Sequence, residues 1–191
     1  MSLPELKEAV SAHVREGVGT SNKIIESFAR QLCGPYFAGV FAADCIPRGK
    51  ISRMENFILI VNLGEKKGEN REMNGHFVTI CACGDDLHYW DPYAFPCLQP
   101  KVKTFLQRCG RKVVTNGRRV QHLESVYCGF YCLLYAAYQA RCMAGEPPKF
   151  KLRFYKIRSK LLKNDSRCVE YLHRLIDQMH KLNAADKSLF S

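Results

Sequence analysis

Residues Tyr127 to Met143, read as a helix, carry apolar side chains on almost every face. A helix with one apolar stripe can lie on a surface, but one that is apolar all round has to be enclosed by other elements. Gly145-Glu146-Pro147-Pro148 ends the run, since proline has no amide to donate and glycine tolerates left-handed backbone. The rest of the chain must therefore supply a shell around this helix. A chain of 191 residues is long enough to do so as one domain, residues 1–191.

The shell can be read from periodicity. Phe57 to Leu63 is a continuous apolar run, the mark of a strand buried on both faces. Gly64 to Asn74 is polar and reads as an exposed loop. His76 to Cys83 is a second strand, Gly84-Asp85-Asp86 a turn, and Leu87 to Trp90 a third strand ending at Asp91-Pro92. Shorter strands are expected at Tyr36 to Phe41 and at Lys112 to Thr115, the latter before the turn Asn116-Gly117. Helices are expected over Glu5 to Val14, over Lys23 to Leu32 with Ser21 as N-cap, and over Lys101 to Arg108. A last helix, Ser166 to Leu182, carries Cys168, Leu172, Leu175, Ile176 and Met179 on one stripe. The order predicts an α+β fold: a mixed, mostly antiparallel central sheet packed on the buried central helix, with flanking helices.

Four polar residues fall where such a fold could use them. His76 opens one strand, Asp91 ends the next, Gln121 precedes the central helix, and Cys128 begins it. Acyl transfer by a thiolate needs a nucleophile, a base, a group that orients the base, and donors for the oxyanion. Cys128 would gain from the positive end of the helix and from a neighbouring imidazolium. His76 would be base and then acid, Asp91 would fix its tautomer, and Gln121 would offer its amide to the oxyanion. Gly129 would let substrate approach the backbone, and Phe77 would wall the imidazole. Each residue has a plainer reading: Cys128 as core filling, His76 as a structural histidine, Asp91 as a turn opener before proline. His88 and His122 compete for the role of base. The chain has ten cysteines; with a core already present, most are expected to be buried and reduced, Cys132 and Cys142 among them. Cys81 and Cys83 with His88 and Cys97 do not match a common zinc-ligand spacing, so no metal is expected.

With these residues in view, the chain resembles the adenovirus protease (adenain) family of viral cysteine endopeptidases, distant relatives of the ubiquitin-like-protein proteases. Three passages carry the resemblance: Cys33-Gly34-Pro35-Tyr36-Phe37-Ala38-Gly39; Gly75-His76-Phe77 with Trp90-Asp91-Pro92-Tyr93; and Gln121 to Phe130. They span roughly Leu32 to Tyr138, with a weaker echo in Ser166 to Leu182. Phe77 stands where these families usually have tryptophan, and Asp91 where adenain has glutamate. The resemblance implies an adenain-like cysteine protease fold with His76, Asp91, Gln121 and Cys128 in the catalytic roles. It also implies a maturation enzyme that cleaves precursor virion proteins at glycine-containing motifs, stimulated by DNA and by an activating viral peptide. Adenain tethers that peptide through a cysteine, whose nearest counterpart here is Cys109. Virion and host nucleus would be its places of work, with host cytoplasm the alternative. A deubiquitinating or deSUMOylating protease and a basic, inactive nucleic-acid-binding virion protein are the rival readings.

Charge points the same way independently. The net charge is +11, and the excess gathers after Lys101 in two clusters, Lys101 to Arg119 and Lys149 to Lys163. Such a surface suits a polyanion, DNA first, bound through its backbone. The first residues, Met1-Ser2-Leu3-Pro4-Glu5-Leu6-Lys7-Glu8, do not form a secretory signal. No stretch reaches the roughly 18 apolar residues of a membrane helix. A monomer that is not secreted and not membrane-bound is expected.

Overall fold

The computed structural model describes residues 3–16, 19–47, 49–64 and 75–188. The loop expected from Gly64 to Asn74 lies, from residue 65 on, outside them. Helices α1 (Leu3–Glu16) and α2 (Asn22–Cys33) come first, followed by strands β1 (Phe37–Ala42), β2 (Phe57–Asn62), β3 (Phe77–Cys83) and β4 (Asp86–Trp90). Helix α3 (Pro100–Arg108), strand β5 (Lys112–Thr115), and helices α4 (Cys128–Met143) and α5 (Lys163–Ser188) complete the order. Ser21 caps α2 by accepting from the Ile24 amide, as its side chain suits it to do.

The five strands lie side by side in chain order. β2 pairs antiparallel with β3, and β3 with β4, but β1–β2 and β4–β5 are parallel. The sheet is thus evenly mixed rather than mostly antiparallel. The reason is the connections: α3 lies between β4 and β5 and returns the chain to its starting end, which is what a parallel pair requires.

Both faces of the sheet are covered, so β2 is buried at every position. Ile58 and Ile60 face the cluster built with α1, α2, α4 and α5, while Phe57, Leu59 and Val61 face α3 through Val102, Phe105 and Leu106. Helix α4 is enclosed as its composition demands: Phe130, Tyr131, Cys132, Leu133, Leu134, Ala136 and Ala137 are all buried. Trp90 at the end of β4 stacks on Tyr135 of α4, ring centroids 4.6 Å apart. Thr79 on β3 donates to the Cys132 carbonyl at 3.1 Å. Together these contacts fix the first half of α4 against β3 and the end of β4. Among the described residues no helix is long and apolar enough to cross a membrane.

The cysteines divide differently from expectation. Cys33, Cys81, Cys132 and Cys168 are buried, Cys97, Cys109 and Cys128 are half-buried, and Cys45, Cys83 and Cys142 are exposed; all ten are free thiols. Cys142 is therefore not core filling. It lies in the last turn of α4, where the helix emerges from its enclosure.

Candidate active site

His76 immediately precedes β3, and Asp91 immediately follows β4. The two strands are paired, so their ends bring the side chains together. His76 Nε2 lies 2.8 Å from Asp91 Oδ1. Asp91 is 1% exposed, and its surroundings explain how a buried carboxylate is held. Oδ1 also accepts from the Tyr93 amide at 2.7 Å. Asn116 grips the same residue's backbone, its Nδ2 donating to the Asp91 carbonyl at 2.6 Å and its Oδ1 accepting from the Asp91 amide at 2.9 Å. The backbone at Asn116-Gly117 is irregular and forms no turn, and it is the Asn116 side chain that anchors the acid.

Burial alone would lower the basicity of His76, but hydrogen bonding to Asp91 and to Cys128, reinforced by the charges of both, outweighs it. The result is a pKa raised from 6.5 to about 9. With Nε2 occupied by Asp91, Nδ1 is the nitrogen left for the sulfur. It is buried, and no hydrogen bond to it from Cys128 or any other described residue meets ordinary geometry. His88 sits mid-sheet opposite Cys81 and Val114, and His122 lies 3.8 Å from Glu124. Of the three candidate bases, His76 is the one hydrogen-bonded to a buried carboxylate.

The side chain that walls the imidazole is Tyr93, not Phe77. Tyr93 stacks on His76 with centroids 4.5 Å apart and planes 26° from parallel, and its hydroxyl donates to the Ser125 carbonyl at 3.0 Å. Phe77 is 3% exposed and belongs to the core, because alternation along β3 turns it inward, away from the ring that precedes it. Burial, then the Cys128 and Asp91 charges, pushes the Tyr93 hydroxyl up to about 12.

Cys128 is half-buried at the first position of α4. No side chain caps that helix, so its first-turn amides and the positive end of its dipole stand beside the sulfur. Gly129 is required for a reason other than substrate access. It is buried, and a Cβ there would lie 2.1 Å from Thr20 Oγ1 and 3.0 Å from Ile25 Cδ1. Its missing side chain seats the segment before α2 against the start of α4. Gly75 has a parallel role before His76, where a Cβ would lie 2.0 Å from Asn62 Oδ1.

Gln121 is fully buried, and its Nε2 donates to the Ser125 carbonyl at 2.9 Å and to Ser125 Oγ at 3.2 Å. Its donors are thus engaged within the loop, and Oε1 is the atom without a partner. To reach an oxyanion, the amide would have to exchange the longer of these bonds. Ser125 is held in turn: its hydroxyl donates to Asp165 Oδ1 at 2.9 Å, as does that of Tyr131. Next to Asp165, the buried Asn164 donates to the Val120 carbonyl at 2.7 Å. Residues Asn164 and Asp165 belong to α5, whose start lies ahead of the Ser166 expected from its apolar stripe.

The buried side-chain atoms without a partner among the described residues are Thr20 Oγ1, His76 Nδ1, Asp91 Oδ2 and Gln121 Oε1. Three belong to the expected catalytic residues, and the fourth lies against Gly129. Unsatisfied buried groups are rare in folded proteins, and such a concentration needs an explanation.

Cys109 ends α3 and packs, half-buried, in the cluster on the α3 face of the sheet, opposite the face that carries α4. Burial raises its thiol pKa, with Arg111 opposing. Of the two basic clusters, the second is exposed at every cation from Lys149 to Lys163, and Lys149, Lys151, Arg153 and Arg174 line a recess of about 570 Å³. In the first cluster, Arg111 is committed to the carbonyls of Met54 and Glu55. Among the described residues no group of three or more His, Cys, Asp or Glu side chains could hold a metal ion.

No protein-family model matches the chain, and no curated protein matches it in sequence. Among solved structures it is similar to an AvrA deletion variant with IP6 and CoA, at 16% identity and a TM-score of 0.45. The match covers 74% of this chain and 60% of that one. The likeness is too slight for any residue role or ligand to carry over.

Proposed function

We propose that the protein is a cysteine endopeptidase, with Cys128 as nucleophile, His76 as base and acid, and Asp91 as the group that orients the imidazole. One observation carries the reading: a single imidazole hydrogen-bonds a buried carboxylate at 2.8 Å, in surroundings where Asp91 and Cys128 both raise its basicity. A structural histidine needs neither the thiol nor the raised basicity.

The chemistry follows from the geometry. The Cys128 sulfur attacks the substrate carbonyl carbon, and the carbonyl electrons move onto oxygen. The first-turn amides of α4 face that oxyanion, with the Gln121 amide as second donor once it turns from Ser125. Collapse expels the amine, which takes the proton from His76 Nδ1, and leaves a thioester on Cys128. His76, now neutral, removes a proton from water, which attacks the thioester; the acid departs, sulfur leaves as thiolate, and the thiolate–imidazolium pair is restored.

The resemblance supports a finer version. The substrates would be precursor virion proteins cut at glycine-containing motifs, and the site of action the virion and the host nucleus. DNA would stimulate the enzyme through the exposed cluster from Lys149 to Lys163, and an activating peptide would be tethered at Cys109. The test is direct. Cys128→Ala should abolish hydrolysis of glycine-containing precursor peptides while the circular dichroism spectrum stays unchanged. Iodoacetamide at neutral pH should label Cys128 ahead of the exposed Cys45, Cys83 and Cys142. Residual turnover by the Cys128→Ala protein would refute the proposal.

A further inference from the structure

The turn after Asp91 builds more than a clamp for the acid. The Asp91 carbonyl accepts from the Ala94 amide at 2.8 Å, and Ala94 has φ 55°, the one positive-φ non-glycine among the described residues. An alanine held in a conformation that L side chains avoid marks a place where the surroundings dictate the backbone. Here the turn sends its two flanking rings to different work. Tyr93 lies on the imidazole, while Phe95 points outward, 46% exposed, with its ring centroid 5.6 Å from that of Tyr93. Arg119 completes the shelf. Its guanidinium lies 5.7 Å over the Phe95 ring, its Nε donates to the Tyr93 carbonyl at 3.4 Å, and it has no carboxylate partner among the described residues.

We propose that Phe95 and Arg119 form the subsite for substrate residues on the C-terminal side of the scissile bond, taking an apolar side chain on the Phe95 ring and a carboxylate at Arg119. The proposal rests on the cysteine-peptidase reading, and the chemistry of that reaction supplies its direction. The departing amine must receive its proton from His76, so the part of the substrate that leaves with the amine lies over the imidazole. The surface continuous with the imidazole is Tyr93, then Phe95, then Arg119. An exposed aromatic beside a guanidinium with no carboxylate suits an apolar side chain next to an acidic one, the charge pair being the stronger discriminator.

The experiment uses peptides with a common N-terminal half, drawn from a library of glycine-containing sequences, and four extensions beyond the bond: Phe-Asp, Phe-Lys, Gly-Asp and Gly-Lys. A fifth substrate ends in an aminocoumarin amide and has nothing beyond the bond. The wild-type protein should favour Phe-Asp over Gly-Lys by roughly 10-fold or more in kcat/KM, the scale of one good pocket contact. Arg119→Glu should exchange the preference for Asp into one for Lys, and Phe95→Ser should erase the preference for Phe over Gly. Coumarin release by the wild type with equal kcat/KM on all four extensions overturns the subsite and leaves the peptidase reading standing. Absence of turnover on every substrate overturns both. The four-way comparison on the wild type needs no variant, so misfolding of either one does not remove the test.

Discussion

At the residue scale, the imidazole makes the sharpest statement. Its pKa is raised from 6.5 to about 9 in the folded protein. Below about 6.5 the ring is protonated in both folded and unfolded chains, and the stabilisation is fully present. Between 6.5 and 9 only the folded ring keeps its proton, so stability falls as pH rises and the contribution is gone above 9. The midpoint of thermal unfolding should therefore drop across this window in the wild type and change less in His76→Gln, as read by calorimetry at a series of pH values. The chain itself made His76, Asp91 and Cys128 visible as candidates, because each stands at the start or end of a periodic element. The parts of Tyr93 and Asn116 were not visible. Both depend on loop conformation and on hydrogen bonds across 32 and 25 positions of chain, neither of which leaves a period to read.

At the element scale, the segment between β5 and α4 has little regular structure, and its shape is imposed from outside. Tyr93 holds the Ser125 carbonyl, Asn164 holds that of Val120, and Asp165 holds the Ser125 hydroxyl. Asp165→Ala would leave the Ser125 and Tyr131 hydroxyls without an acceptor, at a cost of about 1–3 kcal/mol. Denaturant unfolding should show that loss. The looser loop should lower kcat more than it raises KM, and Asp165→Asn, which keeps one acceptor oxygen, should recover much of both. Equal behaviour of the two variants would refute this account. The clamp was hidden in the sequence because the stripe of α5 begins to register only at Cys168, after the polar first turn that does the holding. The parallel pairing of β1 with β2 and of β4 with β5 was hidden for a related reason: strand direction is set by the path between strands, and short strands carry no mark of it.

At the scale of the whole molecule, charge and shape reinforce each other. From Lys149 to Phe154 the chain alternates exposed cations with half-buried apolar side chains, Phe150, Leu152 and Phe154 packing on the core. Alternation of this kind sets side chains of one face roughly 6.6 Å apart, a spacing close to that of successive phosphates along a strand. DNA affinity should fall linearly on a logarithmic salt scale. Replacing Lys149, Lys151 and Arg153 together with serine should reduce the slope by about 2–3, at roughly 0.9 per phosphate contact. Fluorescence anisotropy across a salt series measures it, and an unchanged slope would place the contacts elsewhere.

Gly129 ties the segment before α2 to the start of α4, beside Cys128. The notch it leaves is filled by Thr20, over a hundred positions earlier in the chain. A protein trimmed up to Ser21 would keep Cys128, His76 and Asp91, yet lose the side chain that packs against Gly129. Loss of the residues up to Thr20 is thus felt first as a gap beside Cys128.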